Sequence, residues 1–96
     1  MNIEELRDKS IIHGTMLSED LIPAFLNVLK EYAPTMHEVY VKDNPEVLDV
    51  KSMSDEDQYW TVDELFDRLN SIAPEGTYFG SHPGDGADYG FWSEDA

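Results

Sequence analysis

The chain has 96 residues, of which 41% are apolar, and this length suffices for one folded domain with a modest core. Its 21 acidic and six basic residues give a formal net charge of −15. That charge disfavours direct binding to nucleic acid phosphates or an anionic membrane surface, whereas basic proteins and metal cations remain electrostatically suitable partners. The absence of cysteine excludes a disulfide framework, a thiolate nucleophile and a thiolate metal site.

The opening segment Met1–Lys9 contains acids and no apolar centre, so it does not resemble a signal peptide. No apolar run approaches the roughly 20 residues that span a bilayer. We therefore expect a single cytoplasmic domain over residues 1–96, with a frayed tail at 93–96.

Two short elements are predicted before the first long helix. Ile3–Lys9 has the pattern of a short helix capped by Asn2, with acids in its first turn. Ser10–Thr15 contains a β-favouring Ile pair and ends near a glycine, which predicts a strand. We expect this strand to pair with a C-terminal hairpin.

The clearest helix is predicted over Leu17–Tyr32, where apolar residues recur at spacings of three and four. Ser18 is the expected N-cap, and two acids follow it. Pro23 conflicts with a start at Ser18, because its ring meets the carbonyl four residues back. The sequence therefore predicts either a start near Ile22 or a bent first turn. The pair Ala33-Pro34 is expected to end the helix.

The middle of the chain leaves alternatives open. Residues 36–42 are compatible with a strand, since valines alternate with a tyrosine, and equally with a helical turn. Asp43-Asn44-Pro45 marks a break, and Val47–Val50 reads as a short extended piece. Ser52–Gln58 is the most polar run and is predicted to be an exposed loop.

A second helix is predicted from Thr61 to Ile72. Thr61 and Glu64 have the spacing of a capping box, and the apolar residues that follow share one face. Asp63, Asp67 and Asn70 are expected to face outward.

The stretch from Thr77 to Trp92 combines aromatic residues with glycines, as in a β-hairpin. Thr77–Ser81 and Asp88–Trp92 are the predicted strands, joined by a reversal of four to six residues. Because rings fall on both alternating faces, we expect helices to cover at least one of them. Gly80 and Gly90 are predicted to allow close approach by a neighbouring backbone or ring.

The run His-Pro-Gly-Asp-Gly-Ala-Asp-Tyr-Gly-Phe-Trp, with Ala73–Gly80 before it and His13-Gly14-Thr15 near the start, resembles uncharacterised small acidic proteins of bacteria and phages. The resemblance covers about a third of the chain. It implies no activity, cofactor or site residue.

These elements together predict an α+β fold. Two amphipathic helices would pack on a small, mainly antiparallel sheet built from the first strand and the C-terminal hairpin. A sheet of three or more strands with a helical cover can be stable on its own.

A metal site and an enzyme are both disfavoured by the sequence. His82, Asp85 and Asp88 are weak candidates for a hard cation, but the calcium-loop pattern of ligands and closing glutamate is absent. No spacing joins the three histidines to other groups as a catalytic triad. We therefore expect no cofactor and no catalytic residues.

A small interaction or accessory protein with a protein partner of basic character is the favoured function. Its candidate contacts are exposed aromatic residues, which favour interfaces, and neighbouring acids: Tyr59, Trp60, Trp92, Asp55, Glu56, Asp57, Asp63 and Asp67. The alternative is an acidic DNA mimic that inhibits a nucleic-acid-binding protein, with Glu19 and Asp20 added to the same acids. The sequence leaves the partner's identity and the oligomeric state open.

Overall fold

In the computed structural model, which describes residues 3–82 and 84–93, two long helices cover one face of a three-stranded sheet. The domain is therefore α+β, as the sequence predicts. Its strands and α-helices are β1 (Lys9–Ile12), α1 (Ser18–Tyr32), α2 (Pro34–Asp43), α3 (Asp55–Ile72), β2 (Thr77–His82) and β3 (Asp85–Ser93). A 3-10 helix covers Ile3–Leu6, and short 3-10 segments separated by a kink at Asp49 cover Pro45–Ser52.

The sheet is antiparallel, with strand order β1-β3-β2, so the last strand of the chain is the central one. This confirms that the N-terminal strand pairs with the hairpin. Gly90 pairs with both neighbours, opposite Ser10 on one side and Gly80 on the other. A Cβ atom at Gly90 would clash with the Lys9 carbonyl and would lie 2.9 Å from the Ser10 Cα atom. The predicted close approach is thus real, and only glycine fits there.

The core lies between the sheet and the pair α1 and α3. Phe25 of α1 is fully buried, and its ring lies 4.9 Å from that of Phe79 on β2, in an edge-on arrangement. Phe66 of α3 approaches the same two rings. Alternation along the strands then turns Phe79, Tyr89 and Phe91 toward the helices. The expectation that helices cover one face of the hairpin is confirmed.

The start of α3 differs from the prediction. Ser54 is the N-cap, and its hydroxyl oxygen accepts the Asp57 N–H at 3.2 Å. Most of the run predicted as a loop therefore belongs to the helix, which begins at Asp55. The capping box at Thr61 does not form, because Thr61 lies buried within the helix. Three acids in the first turn stabilise this earlier start, since negative charge is favourable at a helix N-terminus.

The first helix begins at Ser18 despite Pro23. Ser18 is not its cap. The N-cap is Leu17, which makes no side-chain capping bond, and its carbonyl accepts the N–H groups of Asp20 and Leu21. Pro23 is exposed on the outer side of the helix. The start near Ile22 is therefore wrong.

The open question over residues 36–42 is settled as helix. Ala33 ends α1, and Pro34 opens α2 at once, because its fixed φ and missing N–H suit a first helical position. Val47–Val50 lies in 3-10 segments that are interrupted by a kink at Asp49, so the prediction of an extended piece was wrong. The Pro45 that marks the break also begins the first of these segments.

The structure also bears on the predictions made for the two ends of the chain. The N-terminal helix is a 3-10 turn over Ile3–Leu6, and its expected cap, Asn2, lies outside the described residues. Ser93 ends β3, and its N–H donates to the Asp8 carboxylate at 3.1 Å, while the fraying expected over 93–96 stays a prediction. The rest of the predicted tail, residues 94–96, lies outside the described residues.

Both hairpin strands are longer than predicted, and His82 pairs with Asp85 across a tighter reversal. Pro83 lies outside the described residues. Among the helices of residues 3–82 and 84–93, none is both long enough and apolar enough to span a bilayer.

Candidate functional site

The most exposed aromatic pair of the domain lies on α3. Thr61, Leu65 and Leu69 form the buried side of this helix, so the 3.6-residue period turns Tyr59 and Trp60 outward. Their side chains are 65% and 55% exposed. The two rings contact each other edge-on, with centroids 5.5 Å apart. Large apolar surface is therefore offered to solvent at one place.

Acidic residues surround this pair on the same side of α3. Glu56 precedes the rings by one turn, and Asp63 and Asp67 follow at one and two turns; all three are exposed. We call Glu56, Tyr59, Trp60, Asp63 and Asp67 the outer face of α3. The structure thus brings together five of the eight residues predicted to bind a partner.

The remaining acids lie near the start of the helix. Asp57 is exposed in its first turn. Asp55 lines a cleft of about 380 Å³ together with Glu19 of α1, so acidic residues of two helices line the same cleft. Asp20 is engaged separately, because its carboxylate accepts the Thr15 hydroxyl at 2.7 Å.

The structure separates Trp92 from this surface. Trp92 lies on the face of the sheet that is turned away from the helices, and it is half-buried. Its indole N–H donates to the Gly80 carbonyl at 3.0 Å, and its ring contacts the His82 ring edge-on at 4.7 Å. These contacts assign its side chain to the packing of the hairpin.

The candidate metal ligands near the hairpin turn are engaged in local hydrogen bonds. The His82 Nδ1 atom accepts the Gly84 N–H at 2.9 Å, and the Asp85 carboxylate accepts the Ala87 N–H at 3.0 Å. The Asp88 carboxylate accepts the Ser10 hydroxyl. Within residues 3–82 and 84–93, no group of three or more His, Asp or Glu side chains is placed to hold a metal ion.

A wide groove of about 680 Å³ runs beside α2, with walls that include Met36, Val39 and the Tyr40 ring. The Arg68 guanidinium stacks 4.7 Å from the centre of that ring. Burial, reinforced by the negative charge of Glu64, raises the pKa of Tyr40 to about 12. The groove thus presents apolar surface together with one acid, Asp43, and the Arg68 cation among its described lining residues.

His37, also on α2, has a lowered pKa because of partial burial and the nearby Lys30 charge. It lines a different hollow from Tyr40, one that includes Lys30 and Val47. The two groups with shifted pKa values therefore do not converge on one site.

The sequence prediction missed two exposed apolar residues, Met16 and Leu17, which are 66% and 60% exposed. Met16 lines a cleft of about 290 Å³ together with Tyr59 and Asp63. Leu17 lies four residues before Leu21 and so fits the helical spacing, and its exposure follows from its position at the N-cap of α1.

Comparisons with protein families, with curated proteins and with solved structures found no match to this chain.

Proposed function

We propose that this protein is a non-enzymatic interaction module that binds a basic protein through the outer face of α3. The observation that carries the proposal is the contact between Tyr59 and Trp60, two large exposed rings on a helix whose neighbouring exposed residues are acids. The same proposal places the protein in the cytoplasm, whose reducing conditions suit a chain without cysteine.

Two physical effects would act together at this surface. Covering the rings removes apolar area from water, and aromatic side chains commonly supply the anchors of an interface. The carboxylates of Glu56, Asp63 and Asp67 would attract a basic partner and orient it. The module therefore gains affinity from the rings, and specificity and association rate from the charges.

DNA mimicry is the second candidate function. It is favoured by the cleft that Glu19 and Asp55 both line, because the acids of α1 and those of α3 lie on either side of it. Against it, Tyr59 and Trp60 interrupt the acidic surface of α3 with apolar area that a phosphate array does not have. We therefore rank it below the aromatic-anchored module.

Affinity capture from a nuclease-treated bacterial lysate at about 0.15 M salt tests the proposal, because distant surface charges are already screened there. The bait proteins are the wild type, Trp60→Ala, the double variant Asp63→Asn/Asp67→Asn, and Leu48→Ala. Leu48 is 69% exposed outside α3, so its variant controls for the loss of any exposed apolar residue.

We expect a basic protein to be retained by the wild type and by Leu48→Ala, and to be lost with Trp60→Ala. Retention by Trp60→Ala would contradict the proposal. Loss with the double variant alone, together with displacement by added duplex DNA, would favour mimicry instead.

A further inference from the structure

A cleft lies between the segment Met16–Ser18 and the first three turns of α3. It consists of two adjoining hollows, of about 380 and 290 Å³, which both include Met16 and Ser18 in their walls. The first hollow is polar and is bounded by Glu19, Asp55 and Gln58. The second has an apolar floor formed by Leu21, Val62, Phe66 and Tyr89.

The two hollows of the cleft differ in chemistry: the first is polar, the second is floored by apolar side chains, and acids line both. Met16, Leu17 and Tyr59 project from its walls with 60% or more of their surfaces exposed. The carboxylate-bearing residues Glu19, Asp55 and Asp63 line its edges, and no Lys, Arg or His is among the described residues that line either hollow. Methionine is a flexible side chain that adapts to varied apolar partners.

We propose that this cleft binds a cationic amphipathic helix of the partner protein, with the helix's apolar stripe inside and its Lys or Arg residues against the rim. The inference rests on the proposed function, because it specifies which part of a basic partner is bound. Charge complementarity selects the occupant, since every charged residue of the lining is an acid.

The dimensions and the lack of a free strand edge favour a helix over an extended peptide. From Asp55 to Phe66, α3 rises about 17 Å, which equals roughly three turns of an incoming helix. Among the described strands, β3 alone reaches the cleft, through Tyr89, and β3 is already paired on both sides. An extended peptide would find no backbone partners there, whereas a helix satisfies its own.

Electrostatics oppose the binding of a second copy of this chain. The first turns of α1 and α3 are acidic, and the whole chain carries a net charge of −15. Placing one copy's helix against the other's carboxylates would bring like charges together.

The test uses a fluorescent peptide of about 14 residues, built from Leu and Lys with the helical period of an amphipathic helix. A second peptide of the same composition has its Leu residues distributed around the helix. Binding is measured by fluorescence anisotropy with the full chain, which is also examined by analytical ultracentrifugation. The protein variants are Met16→Ser/Leu17→Ser, Trp60→Ala, Glu19→Gln/Asp55→Asn and, as a matched control, Leu48→Ser.

We expect the amphipathic peptide to bind at least about tenfold more tightly than its control. We also expect Met16→Ser/Leu17→Ser to weaken binding by about tenfold and Leu48→Ser by less than about twofold. All the altered side chains are solvent-exposed, and far-UV circular dichroism checks the fold. Glu19→Gln/Asp55→Asn is expected to reduce both the affinity and its dependence on salt.

Equal binding of the two peptides would overturn the choice of a helix. Trp60 lines neither hollow. If Trp60→Ala abolished peptide binding and Met16→Ser/Leu17→Ser did not, the cleft would be rejected as the binding site. The proposed function would then still stand. A stable dimer blocked by Met16→Ser/Leu17→Ser would assign the cleft to a second copy instead. Failure to bind either peptide, with wild-type lysate capture intact, would also reject the cleft alone.

Discussion

The two tryptophans occupy regions with opposite character. Trp92 lies on the C-terminal hairpin, where its N–H has a backbone acceptor and its ring covers Gly90. Trp60 lies on the outer face of α3, more than half exposed, and its ring contacts that of the neighbouring Tyr59. The same residue type therefore serves packing in the hairpin and is available for binding on the helix.

The difference comes from the space that the neighbouring backbone leaves beside each tryptophan ring. Opposite glycines on β2 and β3 leave space on the outer face of the sheet, and the Trp92 ring covers it. Helix α3 offers no such space at position 60, because its buried side is turned about half a turn away. Substitutions in the hairpin should consequently alter stability, and those on the outer face of α3 should alter binding.

The largest expected effect is that of Gly90→Ala. The added methyl group would meet the Lys9 carbonyl and the Ser10 Cα atom, so β1 must move away from β3. We expect the free energy of unfolding to fall by at least about 3 kcal/mol. Gly86→Ala is the matched control in the same strand, since a Cβ atom there meets nothing within 4 Å. Urea denaturation of the two variants measures the difference, and equal stabilities would contradict the close approach.

The second prediction compares the tryptophans directly. Trp92→Ala removes a half-buried ring and the hydrogen bond that its N–H donates to the Gly80 carbonyl, which we expect to cost about 2 kcal/mol. Trp60→Ala removes an exposed ring and should change stability by less than about 0.5 kcal/mol. Thermal denaturation followed by circular dichroism measures both. A larger loss for Trp60→Ala would reverse the roles assigned to the two regions.

The third prediction concerns the link between the two regions. Asn70 of α3 accepts the Phe79 N–H at 2.8 Å and donates to the Phe79 carbonyl at 3.2 Å, so its amide occupies part of the free edge of β2. We expect Asn70→Ala to cost about 1 kcal/mol and to speed hydrogen exchange at the Phe79 amide. Asn27→Ala, at another exposed helical position, is the control. Unchanged exchange at Phe79 would show that this link contributes nothing.

The smallest effect is expected at alkaline pH. The pKa of Tyr40 is raised to about 12 in the folded protein, above its ordinary value of 10.0. At pH values below the ordinary pKa, the contribution of neutral Tyr40 to the stability of the fold is fully present. As pH rises from about 10 toward 12, the unfolded chain loses the proton first, and the stability that depends on neutral Tyr40 is lost.

Tyr40→Phe has no phenolic proton to lose, so its stability should fall less steeply with pH than that of the wild type over the same interval. The measurement is the urea midpoint at pH values from about 8 to about 11.5. Tyr59→Phe, which alters an exposed tyrosine on the outer face of α3, is the control. Parallel curves for wild type and Tyr40→Phe would remove Tyr40 as a source of alkaline sensitivity.

The sequence by itself determined those elements whose local patterns agree with their tertiary surroundings. The apolar stripe of α1 appears as a helix because its period is 3.6 and it faces the core along its length. The hairpin and its pairing with β1 follow from aromatic runs around a glycine-rich turn. The outward direction of Asp63 and Asp67 also follows from the period of α3.

Only the tertiary structure decided features that depend on a neighbouring element. The start of α3 was missed because the polar run Asp55–Asp57 has no apolar period, although its charges suit a helix N-terminus. Residues 36–42 form a helix because Pro34 begins α2 and because the Tyr40 side chain is buried against α3.

The different roles of Trp60 and Trp92 were equally beyond the sequence. Which ring is covered depends on contacts between elements, since the pairing of β2 with β3 is what places Trp92 beside the Gly80 carbonyl. The cleft beside Met16 exists for the same reason: its walls come from the start of α1 and from α3, and no local pattern reports that they lie together.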